Sequence, residues 1–459
     1  MKNETIVGLD IGTTKIACFV GQKQDNGKVK ILGYGKCDSL GVERGVVINI
    51  KLASESITRA VNMAADRSGY DIHEVYVGVA GQHIKSKNCS GSIMIPADHP
   101  YILEEDVEQL TQQQYGINLQ PGEEIIHLFP QTYYVDGVEI HCDPVGVKGN
   151  KLECVFHMVT GNRHNLECIT HSVQNAGLLV KDLVLEPVAS SLATLDSTDM
   201  EAGVALVDIG GGTTDIAVFK EGVIRHTSVL PLAGNVITDD IREGCNVMRH
   251  QAEALKTRFG SCMPSQLNEG DYVSIPVYRN SPEREINLRI LAGIIKARTQ
   301  TILEQVSYEI KESCYEKQLI GGLVLTGGGA KLKHIKDFAA FETGFQTRIG
   351  MPNEHLTDDN DAEINHPMYA TSIGLVLYGI EKSEAEQNPE DEVIEEPIAP
   401  APNPTSEMDL EGVEQVNGPD KEGDKPEGKK KTSGWAILQK KVEDFLSKTI
   451  KGDDSYGID

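Results

Sequence analysis

Tryptophan occurs once in the 459 residues, as Trp435, and aromatic residues make up only 5% of the chain. The nine cysteines are scattered, and no two stand as C-x-x-C. That spacing excludes a paired-thiol zinc ribbon or thioredoxin-type motif, and it reads as free thiols in a reducing compartment. No run of 18 apolar residues occurs, so no membrane-spanning helix is expected. The opening segment Met1–Asp10 lacks an apolar h-region, so no signal peptide is expected. Positive charge is also scarce. Lys and Arg total 43 against 69 Asp and Glu, a net charge of −26, which argues against bulk binding to nucleic acid. A P-loop is missing as well. Gly27-Lys28 comes nearest, but its glycine spacing is wrong and Val29 stands where Ser or Thr is required. No Ser/His/Asp nucleophile arrangement stands out.

At ~100–200 residues per domain, the length predicts two to four domains. Strand-like and helix-like segments alternate as far as residue 380, which indicates an α/β class with mixed sheets. Residues 85–160 read as a small α/β insert with a helix over Leu103–Gln114, a strand pair about Asp136-Gly137 and a strand Leu152–Thr160. Residues 235–300 read as a second insert, and Leu288–Cys314 has the apolar spacing of a long helix with one buried face. The segment 381–432 carries 16 acidic and 6 basic residues with almost no aromatics. It cannot bury enough apolar area to offset chain ordering and is expected to be a disordered linker.

One motif occurs twice. Asp10-Ile-Gly-Thr-Thr-Lys15 follows a strand near the start, and Asp208-Ile-Gly-Gly-Gly-Thr-Thr-Asp215 follows the strand Gly203–Val207. Each places an aspartate at a strand end, then a Gly/Thr turn, then a new strand. Glycine lets backbone N–H groups approach phosphate oxygens, threonine hydroxyls add donors, and the aspartate can hold Mg2+ directly or through water. Two such hairpins facing each other could clamp a polyphosphate between two domains. A third cluster, Gly327-Gly328-Gly329, follows the apolar strand Gly322–Thr326 and precedes a helix expected from Lys331. Its bare backbone could lie against a base or ribose.

These pieces resemble the superfamily of actin, DnaK-type chaperones and sugar kinases. Asp10–Lys15 and Asp208–Asp215 look like its two phosphate motifs, and Gly322–Leu332 like its adenosine motif. Leu185-Glu-Pro-Val-Ala-Ser-Ser-Leu192 and Tyr369–Gly379 look like its two connecting helices. Gly234–Ile241 with Ala252-Glu-Ala-Leu-Lys256 resembles its purine-side element. The resemblance implies an actin-like (ribonuclease H-like) two-domain ATPase fold that binds ATP with Mg2+ near Asp10 and Asp208. It would assign the phosphates to Gly12, Thr13, Thr14, Lys15, Gly210, Gly211, Gly212, Thr213 and Thr214. Glu253 and Lys256 would meet ribose or adenine beside Gly327–Gly329. Glu186 would be the carboxylate near an attacking water.

Within the superfamily, Val75-Tyr-Val-Gly-Val-Ala-Gly-Gln-His-Ile84 and the insert behind it are similar to the FtsA family of bacterial cell-division proteins. That resemblance implies subdomains 1A (1–84 and 161–197), 1C (85–160), 2A (198–233 and 300–380) and 2B (234–299). It implies self-assembly into an actin-like polymer and recruitment of later division proteins. It also implies docking of the FtsZ tail on the second insert, with Arg284 and Arg298 as candidates. No substitute for the chaperone-type catalytic lysine is found, so the nucleotide is either hydrolysed weakly or acts by bridging the domains.

The C-terminal segment 433–451 has a helical period. At ~100° per residue, Trp435, Leu438, Val442, Phe445, Leu446 and Ile450 fall on one face, Lys440, Lys441 and Lys448 lie on the other, and Ile437 alone of the large apolar residues is misplaced. Residues 429–451 hold seven lysines against Glu443 and Asp444. A basic amphipathic helix with Trp, Phe and Leu on one face is the pattern of an interfacial membrane anchor. The linker, at ~5–6 Å × √n, would let it reach about 40 Å from the body. The family resemblance implies the same peripheral place, on the cytoplasmic face of the membrane at the division site. Docking on the protein's own body or on a partner protein are the alternatives for this helix.

Other readings stay open on the residues alone. Cys154, His157, His164, Cys168 and His171 cluster in sequence and could suggest zinc, but a strand would send Cys154 and His157 to opposite faces. A PilM-like pilus protein shares the insert but takes its membrane contact from another chain. A sugar kinase would need a substrate-side catalytic aspartate. A chaperone would need a C-terminal β-domain where the acidic linker stands.

Overall fold

The computed structural model describes residues 4–387 apart from 142, 277–282, 353–354 and 358–362. Most of the acidic linker and the whole amphipathic segment, Trp435 to Ile450 included, lie outside the described residues. Among the described residues no helix is long and apolar enough to cross a membrane.

The body opens with strands β1 (Thr5–Ile11), β2 (Lys15–Lys23) and β3 (Val29–Asp38), the short pair β4 (Val42–Glu43) and β5 (Val46–Val47), helix α1 (Ile50–Ser68) and strand β6 (Glu74–Val79). An insert follows, with β7 (Lys85–Met94), α2 (Glu104–Tyr115), β8 (Glu123–Val135), β9 (Val138–Ile140) and β10 (Lys151–Asn162). The first half closes with α3 (Arg163–Asn175), β11 (Leu179–Leu185), α4 (Glu186–Thr194) and α5 (Ser197–Ala202). The second half runs through β12 (Val204–Ile209), β13 (Thr214–Lys220), β14 (Val223–Leu230), α6 (Gly234–Cys245), α7 (Arg249–Phe259), β15 (Tyr272–Ile275), β16 (Arg284–Asn287) and α8 (Leu288–Glu312). It ends with β17 (Gly322–Thr326), α9 (Ile335–Thr343), β18 (Thr347–Ile349) and α10 (Ala370–Gln387).

The two halves repeat one topology. The first sheet has the order β11-β6-β1-β2-β3, the second β18-β17-β12-β13-β14. In each, a three-stranded antiparallel meander joins strands added parallel to its first member. β1 is buried from Ile6 onward and β12 throughout, as near-continuous apolar strands covered on both faces should be. α1 starts at Asn49, whose side chain accepts the Leu52 amide, and stops at Gly69 in the left-handed region. The insert forms its own sheet, β7-β10-β8-β9, around an apolar cluster that includes Leu110, Leu152 and Phe156.

Two close approaches set the hinge between the halves. A Cβ on Gly8 would lie 2.8 Å from Leu375 Cβ, so α10 rests directly on β1. A Cβ on Gly374 would collide with the Ala189 carbonyl, so α10 and α4 cross backbone to backbone.

The α8 periodicity holds, since Leu291, Ile295, Ile302, Val306 and Ile310 are buried. The helix expected from Lys331 begins instead at Ile335. Residues Gly328–Lys331 form a tight 3-10 turn, and His334, at φ 62°, breaks the path before the helix. Of the clustered thiols and imidazoles, Cys154 packs in the insert core, whereas His157 faces Thr227 of the second half. His164 Nε2 lies 3.7 Å from Cys168 Sγ on α3, away from both.

Candidate functional site

The β1–β2 and β12–β13 hairpins point at each other. A Cβ on Gly211 would collide with the Thr14 side chain, and one on Gly212 with Thr13. Bare glycine backbone on one tip therefore meets threonine on the other. The Thr13 hydroxyl accepts the Gly45 amide at 3.1 Å, which ties the first tip to the turn before α1. On the second tip, Gly210 N–H donates to the Thr213 carbonyl at 2.9 Å, and the Thr214 hydroxyl donates to the Leu232 carbonyl at 2.7 Å. The first amides of α6, on Gly234 and Asn235, donate to the carbonyls of Gly210 and Gly211. A helix N-terminus thus stands directly behind the second tip, where it favours negative charge.

Four carboxyl groups line the floor between the tips. Asp10 and Asp208 are 4% and 6% exposed, Asp215 is 2% exposed, and Glu186 is half-buried at the start of α4. Lys15 Nζ lies 2.5 Å from Asp10 Oδ2. Burial works against its charge, but Asp10, Glu186 and Asp208 outweigh that and hold its pKa above the usual lysine value. Burial, with repulsion from Asp10, Asp215 and Asp208, raises Glu186 well above the carboxylate range. Asp215 is pushed up to about 8 by burial and by Asp208. Burial also raises Asp208, against the hydroxyl donors that favour its charged form.

Those donors come from the hinge. Ser190 on α4 donates to Asp208 Oδ2 at 2.8 Å, and Thr371 on α10 donates to the same oxygen at 3.1 Å. Ser372 on α10 donates to Asp10 Oδ2 at 3.0 Å. Each strand-end aspartate is therefore fixed by a connecting helix, so hinge and site are one structure. Ser190, Thr371, Ser372 and Asp215 were not singled out from the sequence as site residues. Asp215 ends the second motif and was legible there. The three hydroxyls lie inside otherwise small and apolar helical stretches, where nothing marks them.

Gly327, at φ 82°, presses against the Asp208 carboxylate, and Gly329 against Ile209, where any Cβ would collide. Gly327 also donates its amide to the Pro367 carbonyl at 3.2 Å, just before α10. Lys256 Nζ bonds the Gly234 carbonyl at 2.9 Å, Thr238 Oγ1 at 2.8 Å and Glu253 Oε2 at 2.8 Å. Burial lowers its pKa, with Glu253 opposing. This places Lys256 and Glu253 beside the second tip. Arg284 and Arg298 lie apart from the cleft. Arg298 makes a two-pronged pair with Asp240 at 2.6 and 3.0 Å, and Arg284 donates to the carbonyls of Cys245 and Asn246 at the end of α6.

Residues 205–374 match the family described as "Cell division protein FtsA", residues 81–160 match "SHS2 domain inserted in FTSA", and residues 163–229 match "Hsp70 protein". The cell division protein FtsA of Pseudomonas aeruginosa is 35% identical over 379 residues, 82% of this chain and 89% of that protein. The chain belongs to the FtsA family. It is an actin-like cell-division protein. FtsA of Escherichia coli K12 is 34% identical over 383 residues, 82% of this chain and 90% of its own. FtsA of Bacillus subtilis is 29% identical over 451 residues, 97% of this chain and 98% of its own, so that likeness runs on past the body. A solved PilM-PilN type IV pilus biogenesis complex contains a chain with a TM-score of 0.59 and 15% identity. It covers 82% of this chain and 98% of that one, which shows a shared fold.

Proposed function

We propose that this FtsA-family protein binds Mg2+ and ATP between its two halves, assembles with further copies of itself, and tethers FtsZ filaments to the cytoplasmic face of the membrane at the division site. The observation that carries the nucleotide reading is the cleft itself. Two glycine-threonine hairpins face each other over four carboxyl groups, which have one lysine ammonium among them in the described residues. Asp215 Oδ1 is buried without a hydrogen-bond partner. Such a floor favours a cation. Among the described residues no three candidate ligands converge tightly enough to hold a bare metal ion. That suits Mg2+, which keeps several waters and takes one or two carboxylates plus phosphate oxygens. Asp10 and Asp208 would be those carboxylates.

Gly12, Thr13, Thr14 and Lys15 would hold the phosphates from one side, and Gly210, Gly211, Gly212, Thr213 and Thr214 from the other. Glu253, Lys256 and Gly327–Gly329 would border the nucleoside. Bound ATP supplies the bridge across the two halves. Burial and the neighbouring carboxyls raise the pKa of Glu186 in the nucleotide-free cleft, which disfavours the ionised form that a base needs. This supports weak ATPase activity at most, with the nucleotide acting as a structural bridge. Subdomains 1A, 1C, 2A and 2B, with the boundaries given above, would follow the family pattern.

The test of the cleft is ATP binding measured by calorimetry, with and without Mg2+. Saturable binding that weakens without the metal is the expected result, and no binding would overturn it. For the membrane contact, the full chain should sediment with anionic vesicles and a chain lacking residues 433–459 should not. Equal sedimentation would refute the anchor. For the FtsZ tail, Arg298→Glu should weaken binding of the C-terminal peptide. Because Arg298 is paired with Asp240, Asp240→Asn is the control: it frees the arginine and should leave binding intact or stronger.

A further inference from the structure

The insert belongs to the first half by chain connection, yet its side chains grip the hinge and the second half. On β8, His127 Nε2 accepts the Leu185 amide at 3.1 Å. Leu185 is the N-cap of α4 and has no side-chain cap of its own, and Glu186 is the next residue. The His127 ring also meets Tyr378 of α10 edge-on, with 6.4 Å between centroids. One imidazole from the insert therefore touches both connecting helices, and on α4 it holds the turn that carries Glu186.

A seam of polar contacts runs on from there to β14, the edge strand of the second sheet. Ser86 Oγ donates to the Thr227 carbonyl at 2.8 Å, and Gln131 Nε2 donates to the Ile224 carbonyl at 2.7 Å. Arg225 returns a bond to the Gln131 carbonyl at 2.9 Å. Insert side chains thus satisfy carbonyls that an edge strand would otherwise leave open. Behind them His157, 2% exposed, bridges Asn88 Oδ1 and Thr227 Oγ1, both at 3.0 Å. Burial, with His226 adding to it, pushes His157 down to about 4. The ring is then neutral, with one nitrogen to donate and one to accept. A small cavity lined by Ile84, Ser86, Leu185, Pro187 and Thr227 lies where insert, α4 and β14 meet.

The root of the insert leads back to the first hairpin. A Cβ on Gly81 would lie 3.1 Å from the Gly45 carbonyl, and the Gly45 amide is bonded to Thr13. The insert is thus anchored next to one phosphate hairpin and, through β14 and its partner β13, to the other.

We infer that the insert reads the state of the nucleotide cleft, with His127 as the positioning residue that couples α4 to the insert and the Thr227 seam as the second point of attachment. A rotation of one half against the other then either swings the insert or parts these bonds. The inference rests on the nucleotide reading given above.

Amide hydrogen exchange on the full chain, with and without saturating Mg2+ and ATP, tests it. In the unaltered protein ATP slows exchange at the hairpins 8–15 and 208–215, and also in the insert segments 123–135 and 151–162. In His127→Phe combined with Thr227→Val, which removes the bonds to Leu185 and His157 while Ser86 and Gln131 keep their backbone partners, the hairpins stay protected and the insert response is reduced. His127→Gln, whose amide oxygen can accept the Leu185 N–H, keeps the response, which a merely space-filling role for His127 would not require. If the double variant does not fold, Thr227→Val alone tests the seam, and it should reduce the insert response by less because His127 still holds Leu185. An insert response undiminished in the double variant overturns the inference, as does an insert that stays silent in the unaltered protein while its hairpins are protected. If ATP protects neither hairpin, the nucleotide reading fails instead. The hinge contact is then decided without nucleotide: His127→Phe should speed exchange over 185–194, and unchanged exchange there would overturn the coupling.

Discussion

The two glycine-threonine hairpins share a topology and differ by two glycines and by the sign of the charge that ends them. Both run Asp-Ile-Gly and reach a pair of threonines, directly in the first and after Gly211-Gly212 in the second, but the residue after the threonines is Lys15 in the first and Asp215 in the second. In the first hairpin the lysine turns back onto its own aspartate at 2.5 Å. In the second, Asp215 faces Asp208 across the strand pair, and what favours its ionised form is the Thr213 hydroxyl at 3.0 Å. One hairpin supplies its own counter-ion and the other stores a proton. The charge swap makes the halves unequal partners for a ligand. On the proposed reading, the first would offer a cation to phosphate oxygens beside its one aspartate, and the second would offer Asp208 to the metal with Asp215 behind it.

The largest expected effect comes from removing the cation. Lys15→Gln should weaken ATP binding by about 10- to 100-fold, since hydrogen bonds to charged groups contribute ~1.5–3 kcal/mol. Titration calorimetry checks it, and an unchanged affinity would mean that the hairpins are not divided in this way.

The next effect concerns the stored proton. A carboxyl whose folded pKa lies near 8, above its unfolded value, contributes stability that is full at low pH. That contribution is lost as pH rises through about 8. The melting temperature of the nucleotide-free protein should therefore fall between about pH 5 and pH 9. Asp215→Asn should flatten the fall and melt higher than the unaltered protein at the alkaline end. A parallel pair of curves would contradict the asymmetry.

The smallest effect separates the hinge contacts. Asp208 receives two hydroxyls, whereas Ser372 is the one that reaches Asp10 from α10. Lys15 still pairs with Asp10 in Ser372→Ala and Thr371 still donates to Asp208 in Ser190→Ala, so each should cost only ~1 kcal/mol in urea denaturation, and Ser190→Ala combined with Thr371→Val about twice that. A double variant no less stable than Ser190→Ala alone would show that Asp208 does not share its load.

Much of this was readable in the sequence because the relevant signals are local. The twin motifs sit on strands whose apolar runs are unbroken, and the α8 stripe has a clean period. β7 was missed because Lys85–Met94 is an edge strand of Lys, Asn, Ser and Gly with Ile93 its one buried side chain. No alternation marks it. The helix expected from Lys331 starts late, at Ile335, because the left-handed break falls on His334, a residue type that gives no warning of it. The hinge hydroxyls and the insert's hold on α4 were not legible at all. They join residues far apart in sequence, such as His127 with Leu185 and Ser372 with Asp10, and only the packed fold brings them together.

The central claim is that Mg2+ and ATP enter between a self-neutralised hairpin and a proton-storing one. Proton release on binding tests it most directly, measured as the dependence of the calorimetric heat on the ionisation enthalpy of the buffer at neutral pH. The expected result is saturable binding with net release of protons, because a cation beside Asp208 displaces the proton held by Asp215, whose pKa lies near 8, and Asp215→Asn reduces the release. Binding with no proton exchange, or the same release from Asp215→Asn, would contradict it.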